Sequence, residues 1–443
     1  MRDWFNMTAS DLGRSIGKGE IDPVELTEMF LAEINAHPYR DRIYARLTEN
    51  RAHTEAGAAS LRAKTGTRRG LLDGVPISWK DLYDTAGVTT EAGSALLKDR
   101  VPDRDAVVLA NATRAGLVCL GKTHMTELAF SGLGLNTITA TPPNSRDPAL
   151  VAGGSSSGAA TSVAYGLAAA GIGSDTGGSV RIPSAWNDLV GLKTTHGLLS
   201  AKGVVPLCKS FDTVGPLCRS VEDAAELTAV MAAATAPDLT ATTLKGAHLM
   251  VLETVALEDC RAEPLAAFES AVDQLAAAGA IITRAKIPEV TRAMALTACL
   301  FTSEAYAEWH HEIEANPDAM FPPVRERFRA GGVFSAVEYI ENWQELRALR
   351  DIYHTKTAAF DAVLVPTAPI LPPNIDRLLS DHAYFISENL LALRNTRIGN
   401  LMGTCALTLP TTTPSCGITA MGAPFAEAKI LRIGAAMEVA LKI

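Results

Sequence analysis

Strand-like and helix-like segments alternate along the second half of the chain. AHLMVLE (247–253) has the apolar content of a strand, PLAAFESAVDQLAAAG (264–279) has the period of an amphipathic helix ending at a glycine, and AIITRAKI (280–287) is strand-like again. FDAVLVPT (360–367) predicts a further buried strand. Strands that alternate with helices need crossover connections, which place helices against the faces of the sheet. The pattern therefore predicts an α/β fold with a mostly parallel or mixed β-sheet.

The first half of the chain fits the same architecture. A helix is predicted over 23–37, because Pro23 follows Asp22 and the apolar side chains share one face. Residues 106–123 predict a helix that ends near Gly116 and a short buried strand after it. We find no internal repeat and no long linker, so one large domain is predicted over residues 1–443. Further helices are predicted over 50–63, 157–173, 290–314 and 336–358.

Composition narrows the classes of function. Apolar residues make up 47% of the chain and charged residues 20%, as in ordinary globular proteins with a large core. The formal net charge is −9, which argues against a nucleic-acid partner, and no apolar run approaches the roughly 18 residues of a membrane helix. The seven cysteines form no Cys-x-x-Cys pair and the N-terminus has no apolar leader, so we expect reduced thiols and a cytoplasmic enzyme.

The stretch GSDTGGSVRIPS (173–184) places Ser179 directly after two glycines. Glycines allow a tight backbone turn that can aim several N–H groups at one point, which is what an oxyanion requires. A serine at the same point would be a nucleophile. Taken alone, the stretch is more simply explained as a Gly-Gly turn in a packed loop.

A nucleophilic serine needs a base. His124 and His196 lie near the glycine-rich region, but no spacing singles out either of them. Lys80 in GVPISWKD has apolar neighbours, and an apolar environment lowers the pKa of a lysine toward neutrality so that it can accept a proton. The alternative is a surface lysine paired with Asp81. The pair His310-His311 lacks the spacing of a metal site.

A second glycine-rich stretch, AGGSSSGAA (152–160), lacks the lysine of a phosphate-binding loop. Its residues 154–158 fit Gly-x-Ser-x-Gly, the nucleophile turn of α/β-hydrolases. An esterase that uses Ser156 with His354 or His382 therefore stays open as an alternative.

GVPISWKD, GGSSSG and GSDTGGSVRIPS occur in this order and together resemble the motifs of the amidase signature family. The resemblance covers roughly residues 8–440. It implies the family fold, a mixed sheet of many strands wrapped by helices, with a catalytic core at about 65–225 and the remainder completing the sheet and pocket. It also implies that no cofactor and no metal is needed.

The resemblance implies a Ser-cisSer-Lys triad. Ser179 would be the nucleophile, Ser155 a bridging serine at a cis peptide bond, and Lys80 the base. The remaining implied roles are an oxyanion hole of Thr176, Gly177 and Gly178, supporting residues Ser156, Asp175 and Arg181, and a substrate pocket of Ala129, Phe130, Ser131 and Gly132.

The expected activity is hydrolysis of a small-molecule amide through a serine acyl-enzyme, releasing a carboxylate and ammonia or an amine. The alternative within the family is the glutaminase A-type subunit of a tRNA-dependent amidotransferase, which works with a partner protein. A homodimer is a further expectation from the family. The C-terminal stretch PSCGITAMGAPFAEAKILRIG is shorter than in many members, so the resemblance does not fix the acyl or amine group.

Overall fold

An 11-stranded mixed β-sheet forms the centre of the computed structural model, which describes residues 4–442. The order of strands across the sheet is β1-β3-β2-β4-β6-β5-β10-β11-β9-β7-β8. The strands are β1 (Tyr44–Leu47), β2 (Pro76–Lys80), β3 (Val118–Thr123), β4 (Ala170–Asp175), β5 (Val190–Lys193), β6 (Thr213–Cys218), β7 (His248–Leu252), β8 (Ile281–Ala285), β9 (Ala362–Pro366), β10 (Cys405–Pro410) and β11 (Gly417–Gly422).

Helices surround this sheet, so the predicted architecture is confirmed as a single domain. The α-helices are α1 (Ala9–Gly17), α2 (Pro23–Ala36), α3 (Arg40–Ile43), α4 (Glu49–Lys64), α5 (Val107–Ala115), α6 (Ser157–Ala164), α7 (Arg181–Trp186), α8 (Val221–Ala232), α9 (Ala262–Ala277), α10 (Pro288–Ala295), α11 (Thr297–Ala315), α12 (Pro322–Arg329), α13 (Ala336–Thr357), α14 (Ile375–Ser380), α15 (His382–Ala392), α16 (Arg394–Leu401) and α17 (Glu427–Leu441).

The sheet has parallel strands near its two ends and antiparallel strands in its middle. β2 pairs in parallel with β3 and β4, and β7 pairs in parallel with β8 and β9. In the middle of the sheet, the neighbouring pairs β6–β5, β5–β10 and β10–β11 are antiparallel. β2, β3 and β4 are buried along their whole length. Strands covered on both faces show no alternation of apolar and polar residues, which explains their weak period in the sequence.

Most helices and strands lie where the sequence predicts them. α2 begins at Pro23 with the Asp22 side chain accepting from the Val24 N–H, and α5 ends at Gly116 in the left-handed conformation. The segment 290–314 is two helices, α10 and α11, instead of one.

The helix predicted over 157–173 is wrong beyond Ala164. The chain turns at Gly166, which has a φ of 73°, and residues 170–175 form the buried strand β4. The small residues of β4 allow close packing against α6 and do not indicate a helix. A Cβ on Gly171 would lie 2.6 Å from the Ala159 carbonyl oxygen on α6, so the helix can approach the strand only at a glycine.

The parallel pairing of β2 and β4 brings the chemistry-bearing residues together. Lys80 is the last residue of β2, and Asp175 is the last residue of β4. The carboxyl ends of parallel strands meet at one edge of a sheet, which is the usual binding edge of α/β proteins. The loops that carry residues 154–156 and 176–180 lead into α6 and α7 beside this edge.

We expect Gly158→Ala to lower the free energy of unfolding by about 3 kcal/mol or more, because an added Cβ would lie 2.5 Å from the His124 carbonyl oxygen and 2.7 Å from that of Ile43. Gly57→Ala in α4 is the matched control, since nothing lies within 4 Å of its Cβ position. The control should gain about 0.5–1 kcal/mol. Denaturant unfolding of both variants measures this, and equal effects would contradict the packing described for α6.

Candidate active site

Lys80 is fully buried beside two serine hydroxyls. Its Nζ lies 2.7 Å from Ser155 Oγ and 2.8 Å from Ser174 Oγ. Asp81, the partner that a surface lysine would use, pairs instead with Arg46 and Lys122. Burial lowers the pKa of Lys80 to about 7, and the more distant carboxylates of Asp175 and Asp212 oppose this only in part. A good share of the amine is therefore neutral at neutral pH and able to accept a proton.

Ser155 follows a cis peptide bond, Gly154–Ser155. The neighbouring backbone is held on both sides: the Gly154 N–H donates to the Gly132 carbonyl (2.8 Å), and the Thr126 N–H donates to the Ser155 carbonyl (3.2 Å). Ser156, also fully buried, joins this loop to the next one. Its N–H donates to the Ser179 carbonyl (3.3 Å), and its hydroxyl contacts the backbone of Ser174.

Asp175 organises the loop that carries Ser179. Its carboxylate accepts from the N–H groups of Gly178 (2.8 Å) and Val180 (3.2 Å) and from the Arg181 guanidinium (2.9 and 3.0 Å). Burial alone would raise the pKa of Asp175, but the Arg181 charge outweighs it and holds that pKa well below the usual range. Asn400 on α16 donates to the same carboxylate. The loop geometry thus depends on a buried ion pair that several hydrogen bonds satisfy.

The expected oxyanion donors differ in their availability. The Gly178 N–H already donates to Asp175, whereas the N–H groups of Gly177 and Ser179 have no backbone or side-chain acceptor among residues 4–442. The Gly177 carbonyl accepts from Thr396 Oγ1 (2.7 Å), which fixes the orientation of that peptide group. Gly178 has a φ of 137°, a conformation that favours glycine.

Ser179 opens onto a small cavity of about 20 Å³, room for about one water molecule. Ala129, Phe130 and Ser131 line it as expected for a substrate pocket, whereas Gly132 is not among the lining residues and contacts Gly154 instead. A larger cavity of about 450 Å³ lies next to it. The residues that line both cavities are Phe130, Phe301, Arg327 and Arg397.

Sequence reasoning missed several residues of this site. Ser174 is adjacent to a motif residue, and its contact with Lys80 could have been suspected from that position alone. Thr396, Asn400 and Arg397 lie more than 200 residues further along the chain, and nothing in the local sequence of α16 connects them with Ser179. Only the tertiary fold brings α16 against the 176–180 loop.

The alternative esterase site is not assembled. Ser156 Oγ is occupied by the backbone of Ser174, and His354 lies at a different cavity, where its ring contacts the Met402 carbonyl. His382 lines the larger cavity, which does not include Ser156. Within residues 4–442, no group of three or more His, Cys, Asp or Glu side chains is placed to hold a metal ion. Every helix within this range is too short or too polar to span a bilayer.

Comparison with known proteins identifies the family. The model of the amidase family matches residues 25–431. The chain belongs to the amidase signature family. It is 35% identical over 402 residues to the 2-amino-5-chloromuconic acid deaminase of Comamonas testosteroni, covering 88% of this chain and 86% of the relative. It is 30% identical to the A-type subunit of a glutamyl-tRNA(Gln) amidotransferase of Chloroflexus aurantiacus, covering 99% and 97%.

A solved amidase structure superposes with a TM-score of 0.88 at 30% identity, covering 98% of this chain and all of that one. Membership of the amidase signature family, together with this neighbour, makes the protein a hydrolase that acts on C–N amide bonds. The family resemblance stated from the three sequence motifs is thereby confirmed.

We expect Lys80→Met to stabilise the protein by about 1–3 kcal/mol at pH 7, because it removes a buried amine while two hydroxyls lose a partner. The folded pKa of about 7 lies below the unfolded value of about 10.4, so between these values the unfolded wild-type chain binds more protons and wild-type stability rises with pH. The advantage of the variant should therefore be largest at or below pH 7 and shrink as the pH approaches 10.

Denaturant titrations at several pH values measure this difference. Lys64→Met is the control, since Lys64 is largely exposed and should show no such pH dependence. A constant difference between wild type and Lys80→Met from pH 7 to 10 would mean that Lys80 stays protonated in the folded protein.

Proposed function

We propose that the enzyme hydrolyses small-molecule amides through an acyl-enzyme on Ser179, with Lys80 as the base and Ser155 as the proton relay. Neutral Lys80 Nζ takes the proton of Ser155 Oγ, which takes the proton of Ser179 Oγ as that oxygen attacks the amide carbon. The N–H groups of Thr176, Gly177 and Ser179 are the proposed donors to the oxyanion. The C–N bond then breaks, and the leaving amine receives the proton through Ser155.

Water completes the cycle by attacking the acyl-enzyme. Its proton passes to Lys80 through Ser155, the ester bond to Ser179 Oγ breaks, and Ser179 recovers its proton as the carboxylate product leaves. Ammonia as the leaving group agrees with the name of the Comamonas relative, which is a deaminase. The small volume beside Ser179 also suits a compact leaving group.

The observation that carries the proposal is the position of Lys80. Lys80 is fully buried, lies 2.7 Å from a serine hydroxyl and forms no ion pair with a carboxylate of residues 4–442, so an ion pair does not explain its burial. The hydrogen bond from the Ser156 N–H to the Ser179 carbonyl joins the two serine-bearing loops near Lys80.

We expect kcat/KM for amide hydrolysis to rise about tenfold per pH unit below pH 7 and to level off above it, because only neutral Lys80 can accept a proton. Ser179→Ala should lower kcat by on the order of 10⁴-fold or more. A pH–rate profile on a panel of primary amides measures the first expectation, and single-turnover assays measure the second.

Lys193→Met is the matched control for the pH profile. Lys193 is also fully buried, and burial lowers its pKa to about 8, but its Nζ donates to the carbonyls of Thr194 and Thr404 and to no serine hydroxyl of the described residues. The inflection near pH 7 should persist in the folded fraction of this variant. Full activity in Ser179→Ala would rule out the proposed nucleophile.

The second candidate function is that of an amidotransferase A-type subunit, a glutaminase that needs a partner protein. The similarity to the Chloroflexus subunit over 99% of this chain favours it. We expect the purified chain to hydrolyse small amides alone, with glutamine no better than other amides. Preference for glutamine, or activity that appears only with a co-purifying protein, would instead support the amidotransferase role.

A further inference from the structure

Arg397, on α16, is a buried cation that forms no ion pair within residues 4–442. The residue is only 7% exposed, and its Nη2 atom donates to no acceptor among the described groups. Proteins rarely bury a charge in this way, because an unpaired charge loses its hydration without compensation. The unsatisfied guanidinium indicates that a group outside the described chain completes its contacts.

The place of Arg397 ties it to the reaction site. It lines the small cavity together with Ser179 and also lines the larger one. A Cβ built on Gly177 would lie 3.6 Å from Arg397 Cγ and 4.0 Å from Arg397 Nε. The aliphatic part of the Arg397 side chain therefore packs against the loop of proposed oxyanion donors. A ligand group that meets Arg397 would therefore belong to the same molecule whose amide meets Ser179.

Arg327 on α12 is a second cation at this junction. Its Nη1 donates to the Phe130 carbonyl (2.8 Å), and the guanidinium lies 4.3 Å from the centre of the Phe130 ring. Like Arg397, it forms no ion pair among the described residues, whereas its neighbours Arg325 and Arg329 do. Burial and the charge of Arg397 lower the pKa of Arg327 to about 9, so both arginines remain protonated at neutral pH.

Among the described residues, the cavity walls carry no carboxylate that is free to pair with these arginines. No acidic residue from the range 4–442 lines the small cavity. Glu326 lines the larger one but is exposed and lies 3.2 Å from Arg325 and 3.5 Å from Arg329. The other polar groups there include His382 and Asn389, and most of the remaining lining is apolar. The junction therefore presents two positive charges to any molecule held beside Ser179.

We propose that Arg327 and Arg397 bind a carboxylate of the substrate, so that the enzyme acts on the amide of an acid that carries a second carboxyl group. This inference rests on the proposed function of Ser179 in the same cavity. Two guanidinium groups suit a carboxylate, since each offers paired N–H donors to its two oxygens. Because Arg397 is next to Gly177, the substrate carboxylate lies only a few carbon atoms from the scissile carbonyl, as in the monoamide of a short dicarboxylic acid.

The burial of Arg327 is explained in part by its contacts with Phe130. No comparable contact among the described residues explains the burial of the Arg397 guanidinium group. Substitution of Arg397 is therefore the sharper test. Arg394, the first residue of the same helix, lines neither cavity and donates to the Ala256 carbonyl, so Arg394→Met is the matched control.

The kinetic test compares substrates that differ only in the anion. Malonamate, succinamate and glutaramate are paired with propionamide, butyramide and valeramide, which have the same carbon chains without the carboxylate. We expect wild type to favour the best anionic amide by about 10- to 100-fold in kcat/KM, the size of a charge-assisted contact. Arg397→Met should remove most of this preference, Arg397→Lys should retain part of it, and Arg394→Met should leave it unchanged.

A binding measurement separates this inference from the proposed reaction. Isothermal titration of Ser179→Ala with succinate or glutarate should show binding that Ser179→Ala/Arg397→Met lacks. If wild type hydrolyses no amide but this difference in binding is found, the proposed function fails and the carboxylate site stands. The site is overturned if dicarboxylates do not bind, or if Arg397→Met slows anionic and neutral amides equally, because that result would give Arg397 a role on the oxyanion instead.

Discussion

The burial of the Lys80 amine is the constraint on which the site depends. Moving its pKa from about 10.5 to about 7 costs on the order of 4–5 kcal/mol of folding free energy at or below neutral pH. That cost is a large fraction of the net stability of a typical domain. The cost arises because the three buried strands β2, β3 and β4 keep water away from the amine, and the two hydroxyl partners, Ser155 and Ser174, offset part of it. An amine that is partly neutral at pH 7 is thus obtained by packing.

A second buried charge is handled in the opposite way. Asp175 is fully buried but keeps its charge, since Arg181, Asn400 and two backbone N–H groups surround it. The two groups lie at the ends of neighbouring strands, so the same sheet edge holds a neutral amine and a satisfied ion pair. In the proposed mechanism the first would accept the proton, and the second holds the loop that carries Ser179. Their environments shift their pKa values in the directions that each proposed role requires.

The sequence predicts part of this arrangement. The motifs around Lys80, Ser155 and Ser179 are short and dense in residues of special conformation, so local reasoning and family resemblance reach them. The helix predicted through 173 fails because Ala and Gly serve close packing in β4 as well as they serve a helix, and periodicity cannot separate the two. β5, β6, β10 and β11 escape prediction because they are short, fully buried and contain Gly, Pro or Thr. In the sequence, Arg327 and Arg397 are indistinguishable from surface arginines of a helix. Only the fold shows that they line a cavity and form no ion pair among residues 4–442.

The fold also divides the chemistry from the choice of substrate. Lys80, Ser155 and Ser179 come from about 100 consecutive residues at one sheet edge, where a small displacement would break the proposed proton relay. The opposite wall of the cavity comes from α11, α12, α15 and α16, which follow more than 100 residues later. A change of one side chain on those helices can alter charge and shape without moving the relay. We therefore expect substrate specificity to depend on residues outside the motifs. Arg397 on α16, which forms no ion pair among residues 4–442, is accordingly a better guide to the substrate than the glycine-rich loops are.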